Sequence, residues 1–262
     1  TDLVVSTDLG ANLIVVQPDG RTLAAGDFAS FDGAPRHNLA RINVDGSLDT
    51  TFDANAAMLV NLGTAGGNAV TQVTVQSDGK IYFTQNYLNN STDRLLRLNP
   101  DGSVDATFQP GQPRAPAAMT AARQADGRIV IAGAFTFVNG VTRPGLARLN
   151  ANGTLDSTFA PTVAPLDLIT GIGLLPDGRL IVASGFSGVG SPPRSGLARY
   201  LADGALDPAF NVTLNSGGVI NALLVLPDGH AVIAGNFSTV NGTTRGNLAA
   251  LQPDGSLDPT FA

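Results

Sequence analysis

Few residues of this 262-residue chain carry chemistry: it holds 21 Asp but no Glu, two His, and no Cys. Without a thiol there is no cysteine nucleophile, disulfide, haem attachment or iron–sulfur ligand. Glycoside hydrolysis needs two or three carboxylates converging on one site, and Asp27 and Asp32 are the pair close enough in sequence to test. His37 follows a loop arginine and His230 follows an Asp-Gly turn, so neither has the setting of a positioned base. The segment Asn43-x-Asp45-Gly46-x-x-Asp49 is rich in oxygen ligands. A calcium loop, however, needs six to eight oxygens and closes on a glutamate. The first position of this segment becomes Leu201 and Gln252 in later copies, so it reads as a turn. No catalytic residue, metal ligand or cofactor is therefore expected.

The remaining charge excludes other classes. The bases are 14 Arg and the single Lys80, spread along a chain of net charge −6, and they form no basic patch for nucleic acid. No apolar run reaches the ~18 residues of a membrane helix, so membrane insertion is not expected. With no Glu and one Lys the strong helix formers are scarce, while 31 Gly and 16 Pro supply turns. The elements that position any site must be strands, and 43% hydrophobic residues suffice for their core.

Those strands recur. Five segments align: NLIVVQPDGRTLAAGDF, TQVTVQSDGKIYFTQNY, MTAARQADGRIVIAGAF, TGIGLLPDGRLIVASGF and NALLVLPDGHAVIAGNF. Each leads to a second block, as in LARINVDGSLDTTF and LARLNANGTLDSTF, that ends on Phe52, Phe108, Phe159, Phe210 or Phe261. The last three intervals of this Phe series are 51 residues. Each unit reads as an apolar strand, an Asp-Gly hairpin turn of two residues, a second strand, and a looser Asn-Gly-type loop. A Leu-Ala-Arg-Leu strand, another turn and a short Leu-Asp-x-x-Phe strand complete it. Four antiparallel strands per ~50 residues is a β-propeller blade. The expected fold is an all-β, five-bladed propeller in one domain, with repeats at about 2–52, 53–108, 109–159, 160–210 and 211–261. The chain begins and ends at the same phase of the repeat, as a closed ring requires.

The pattern LPDG-[RK]…AG-x-F…NG…LARLN-x-DG-S-LD-x-TF resembles the delta-60 repeat family of bacterial proteins, across essentially the whole chain. The resemblance implies a propeller module of exported, surface-associated proteins, found outside the cell or on its surface, and implies no enzymatic activity. The second repeat departs most, with Thr84-Gln85-Asn86-Tyr87 in place of AGxF, and the fifth has Ala250 where the others have Arg.

Positions filled in every unit serve the blade, which leaves the exceptions as candidates. Fourteen of the 21 Asp occupy repeat positions, nine in Asp-Gly turns and five at Asp49, Asp105, Asp156, Asp207 and Asp258. Arg41, Arg97, Arg148 and Arg199 share a strand position, so Arg–Asp pairs are expected to clamp each blade. Arg123 interrupts an apolar column of Val16, Val75, Leu174 and Val225, where it either lines a channel or pairs with a neighbour. Tyr82, Asn86, Tyr87, Asn89 and Asn90 make the second repeat the most individual surface and, with Arg123, Asp27 and Asp32, are the candidate ligand contacts. The function expected is a non-enzymatic interaction or structural module that meets a protein or glycan at the propeller face and is able to self-associate. A carbohydrate-binding propeller is the alternative reading, ahead of an Asp-dependent glycoside hydrolase.

Overall fold

A computed structural model describes residues 10–58, 70–76, 78–85, 94–109, 120–133, 135–161, 169–184, 196–215 and 217–261. Each repeat folds as an antiparallel sheet in which the second strand is central. In the first, β1 (Gly10–Val16) pairs with β2 (Thr22–Asp27), a small hairpin of β3 (Ser30–Phe31) and β4 (Ala34–Pro35) follows, and β5 (Leu39–Ile42) pairs with β2. A one-turn helix, α1 (Asn55–Met58), leads on to β6 (Val70–Val75), β7 (Ile81–Gln85) and β8 (Arg94–Leu98), which form the second blade.

The third blade comprises β9 (Thr120–Arg123), β10 (Ile129–Ala132) and β13 (Leu146–Leu149), with β11 (Phe137–Val138) and β12 (Val141–Thr142) as its small hairpin. The fourth has β14 (Ile169–Leu174), β15 (Leu180–Ser184) and β16 (Leu197–Tyr200). The fifth has β17 (Val219–Val225), β18 (Ala231–Asn236), the hairpin β19 (Thr239–Val240) and β20 (Thr243–Thr244), and β21 (Leu248–Leu251). The five blades fall into two compact units, Thr1–Gln112 with two and Pro113–Ala262 with three.

The fourth strand of each blade is present as a single bridge: Ile42 to Leu48, Leu98 to Val104, Leu149 to Leu155, Tyr200 to Leu206 and Leu251 to Leu257. It goes no further because the following aspartate turns the chain. The Asp49 amide donates to the Arg41 carbonyl (2.8 Å), and its carboxylate then accepts from the amide and hydroxyl of Thr51. That turn carries Phe52 into the core, where it is fully buried, as are Phe159 and Phe210.

The turns reverse the sequence expectation. The Asp-Gly hairpins are three-residue loops: the Gly20 amide donates to the Gln17 carbonyl and Gln17 pairs onward with Arg21. Only the glycine is left-handed (Gly20, φ 84°), while the Asp19 carboxylate accepts the Arg21 amide. Proline at the first loop position, as at Pro18, Pro176 and Pro227, has the negative φ that a type I turn closed by a left-handed residue needs, and the third blade forms the same loop with Ala125. The tight two-residue hairpins are instead the small ones, Asp32-Gly33, Asn139-Gly140 and Asn241-Gly242, where both residues have positive φ.

Within each unit neighbouring blades pack face to face. On the first strand of the fourth blade the residues three and five before the Asp of the first turn, Leu174 and Ile172, face the third blade, and those two and four before it, Leu175 and Gly173, face the fifth. Gly173 shows how close this packing is: a Cβ there would lie 2.0 Å from Val225 Cγ2. Leu175, on the same face of the fourth blade, joins the core cluster of the fifth. The glycine of the second turn is also fixed by contact, since a Cβ on Gly102 would meet the Asp53 backbone at 2.7 Å. The Asp53 amide, in the link that leaves the preceding blade, donates to the Asp101 carbonyl of that turn.

Candidate functional site

The scaffold uses most of the charged groups. In four blades a buried carboxylate on the outer segment meets a buried guanidinium on the third strand: Arg41 to Asp49 (2.8 Å) and, at 2.7 Å each, Arg97 to Asp105, Arg148 to Asp156 and Arg199 to Asp207. A second cation comes from the residue after the first turn, for example Lys80 to Asp105 (2.6 Å) or Arg128 to Asp156 (3.5 Å). The guanidiniums also stack 4.6–4.8 Å from the ring centres of Phe52, Phe108, Phe159 and Phe210. Arg41 Nη1 donates to the Pro100 carbonyl, Arg148 Nη1 to that of Ala202 and Arg199 Nη1 to that of Pro253, each in the following blade. The arginine thus ties strand three to the outer segment and one blade to the next.

The electrostatics follow from this geometry. Burial pushes the Asp156 carboxyl up, but the Thr158 hydroxyl and amide and the Arg148 guanidinium outweigh it and hold the group below the usual carboxylate range. The same balance depresses Asp49, Asp105 and Asp207. These acids are held ionised as structural anions and are unsuited to donating a proton near neutrality. In the fifth blade Ala250 replaces the arginine and His230 the flanking cation, and the Asp258 carboxylate is held by the Thr260 amide and hydroxyl.

Of the candidate ligand contacts, Asp32 is a turn residue. Its φ of 49° matches Asn139 (53°) and Asn241 (50°), so it is there for its tolerance of the left-handed region. Asp27 closes β2 opposite Gly10 and is half-buried. Tyr82 is corrected from a surface contact to a core residue: 2% exposed, edge-on to Phe108 at 5.2 Å, its hydroxyl accepting a hydrogen bond from Arg97 Nη1 (3.0 Å). Asn86, Tyr87, Asn89 and Asn90 lie outside the described residues.

Arg123 is the exception that reaches a cavity. At the end of β9 it lines a space of about 610 Å³ together with its repeat counterparts Leu174 and Val225, so three successive first strands converge there. Gln124, Arg128, Pro176 and Pro227 from the first turns complete much of the wall. The corresponding space between the fourth and fifth blades, beside Arg179, is about 200 Å³. A second large cavity, about 560 Å³, lies in the fifth blade among Asn215, Asn236, Ser238, Thr244 and Asn247. The sequence pointed to Arg123 because it breaks a column. It did not point to Gln124 or the prolines, which look like ordinary turn residues. Among the described residues no three His or Asp side chains group as metal ligands would.

A family model described as a β-propeller domain of unknown function (DUF5122) matches residues 17–52, 76–108, 124–159, 175–210 and 226–261. No curated protein matches the chain in sequence. Among solved structures, a calcium-binding protein, regucalcin, from Agrobacterium tumefaciens is similar with a TM-score of 0.50 at 13% identity, over 84% of this chain and 66% of its own. This chain therefore spans just under two thirds of that protein's length. A luciferin-regenerating enzyme gives a TM-score of 0.47 at 12% identity, over 95% of this chain and 77% of its own. A prolyl endopeptidase gives 0.47 at 16%, over 97% and 41%. At such identities likeness bears on the fold alone.

Proposed function

The chain belongs to the β-propeller family of the domain of unknown function DUF5122, and on that premise we propose that it is a non-enzymatic interaction or structural module, exported to the bacterial cell surface. The observation that supports this reading is a set of apolar residues left exposed at positions the repeat otherwise buries. Leu39, Leu95, Leu146 and Leu197 are at most 3% exposed, whereas their fifth-blade counterpart Leu248 is 47% exposed. Leu226 is 36% exposed where Leu175 is 7%, and Leu224 beside it is also open. In the first blade Ile14 and Val16, on the opposite face of the strand, are likewise exposed. Apolar faces of this kind mark contact surfaces, and a further blade-like surface is the shape that fits them.

Export rests on the resemblance of the LPDG…LDxTF pattern to delta-60 repeats, modules of surface-associated proteins. Antibody labelling of intact cells tests it, and a signal seen only after lysis would contradict it. For the interaction role, sedimentation of the wild type over a concentration series is expected to show association that Leu224→Asp with Leu226→Asp abolishes. Sedimentation as a single species at every concentration, unchanged by the substitutions, would count against self-association. Glycoside hydrolysis lost in Asp27→Asn or Asp32→Asn would overturn the non-enzymatic reading.

A second reading, carbohydrate binding, is favoured by the fifth-blade cavity, whose asparagine, serine and threonine lining suits a polyhydroxylated ligand. A glycan array decides it: saturable binding of a sugar, lost on Asn236→Ala, supports the lectin, and uniform silence removes it.

A further inference from the structure

We infer that the fifth blade docks head to tail on the first blade of a second copy of this chain, in the register in which the fourth blade packs on the fifth. The inference rests on the interaction role proposed above and names the face that the partner brings to it.

The pattern for this contact is already built once within the chain. Where the fourth blade meets the fifth, Gly173 sits over Val225 and Gly171 over Leu223. Leu175, Ile181 and Leu197 bury their side chains in the shared core, and the Arg199 guanidinium donates to the Pro253 carbonyl. Carried one blade on, the same positions hold Leu224 and Ala222 over Val16 and Ile14. Leu226, Val232 and Leu248 then take the places of Leu175, Ile181 and Leu197, and Val44 that of Pro253.

Both halves of that contact are open. Leu224, Leu226 and Leu248 are exposed and Val232 is half-buried, whereas Leu175, Ile181 and Leu197 are buried. Ile14 and Val16 are 64% and 68% exposed, while their counterparts Leu223 and Val225 lie half-buried against the core cluster. Val44 is exposed as well. One chain thus presents a face of the fourth-blade kind and also a face of the kind on which it packs. This match in position and register is the reason the occupant is a second copy of the chain. Such a pairing leaves one open face on each partner, so association continues beyond two copies.

Two residues make the contact looser than the internal one. Ala250 stands where Arg41, Arg148 and Arg199 reach the carbonyl of the following blade. The backbone of the clamp is kept, since the Asp258 amide donates to the Ala250 carbonyl (2.9 Å) as the Asp207 amide does to that of Arg199 (2.8 Å). Leu224 replaces Gly173, so two side chains meet where the glycine lets Val225 approach the backbone. The contact is therefore reversible and formed by apolar burial between copies that each carry a net charge of −6. Salt screens their repulsion and strengthens it.

The test is sedimentation velocity of the whole chain and of two variants, each with one face blocked: Leu224→Asp with Leu226→Asp, and Ile14→Asp with Val16→Asp. All four side chains are exposed, so both variants are expected to keep the wild-type melting temperature. Each alone should sediment as a single chain. Their equimolar mixture should form a complex of two chains and nothing larger, because one intact pair of faces remains. Ala250→Arg restores the tether towards the Val44 carbonyl and should tighten association of the otherwise wild-type chain by about two- to tenfold, the contribution of one hydrogen bond. It blocks neither face and keeps the test open should a blocked variant fold poorly. Association that survives Ile14→Asp with Val16→Asp, a mixture that stays as single chains, or an Ala250→Arg without effect would overturn the head-to-tail pairing and leave the interaction role standing. A wild type that never associates would remove both.

Discussion

Replacing Arg148 by alanine removes three contacts at once: the ion pair to Asp156 at 2.7 Å, the hydrogen bond to the Ala202 carbonyl of the next blade at 2.7 Å, and the stack 4.7 Å over Phe159. It leaves a carboxylate that is only 5% exposed. Breaking a buried pair by deleting one partner costs about 3–5 kcal/mol, most of it for stranding the other charge. Asp156 keeps the Thr158 amide (2.9 Å) and hydroxyl (2.6 Å) and the more distant Arg128, which places the cost at the lower end, about 3 kcal/mol. For a unit of this size that corresponds to a melting temperature lower by about 6–12 °C.

The pH dependence gives the sharper test. The Asp156 pKa is depressed in the folded state, so its contribution is present above the unfolded value near 4 and is lost as pH falls through the folded value. Urea unfolding at neutral pH, followed by circular dichroism and by the fluorescence of buried Tyr200, should show the full deficit. The gap between variant and wild type should then shrink steadily below about pH 4. A variant within about 0.5 kcal/mol of wild type at neutral pH, or a deficit that is the same in acid, would refute the clamp as the source of stability.

Two further outcomes test the packing and the turns. Gly173→Ala puts a Cβ against Val225 and is expected to cost about 1–3 kcal/mol by overpacking, with partial rescue by Val225→Ala in a double-mutant cycle by urea unfolding. Asp32→Asn should leave stability within about 0.5 kcal/mol of wild type because Asn139 and Asn241 fill that position in other blades. Asp32→Val should cost about 1–3 kcal/mol in the same assay, since a β-branched residue does not accept φ near +50°.

Much of the architecture was legible in the sequence because repetition separates what a blade needs from what is particular. Arg41 and Asp49, eight residues apart, recur as Arg97 and Asp105, Arg148 and Asp156, and Arg199 and Asp207, and the structure joins each pair. What the spacing did not reveal is that the same arginine also reaches a carbonyl some fifty residues on, a contact that depends on blade packing and leaves no local pattern. The turn types were misassigned because Asp-Gly permits both a two-residue hairpin and a three-residue loop, and the loop forms alike after Pro18 and after Ala125, so no neighbouring residue announces it. Tyr82 looked like an individual surface residue, since an uncommon aromatic in a drifted repeat is the usual mark of one. In the fold it is a core residue, edge-on to Phe108 and bonded to Arg97. Arg123 was legible as an anomaly, and its cavity was not, because three blades contribute to it.

The claim on which the rest depends is that the clamp aspartates, Asp49, Asp105, Asp156 and Asp207, are held ionised by their own blades. Carbon-detected NMR titration of the aspartate carboxyl groups tests it directly. Asp49, Asp105, Asp156 and Asp207 should stay ionised well below the usual carboxylate range, and Arg148→Ala should raise Asp156 alone. Ordinary titration near pH 4 by these four groups, or an Asp156 indifferent to the loss of Arg148, would contradict it.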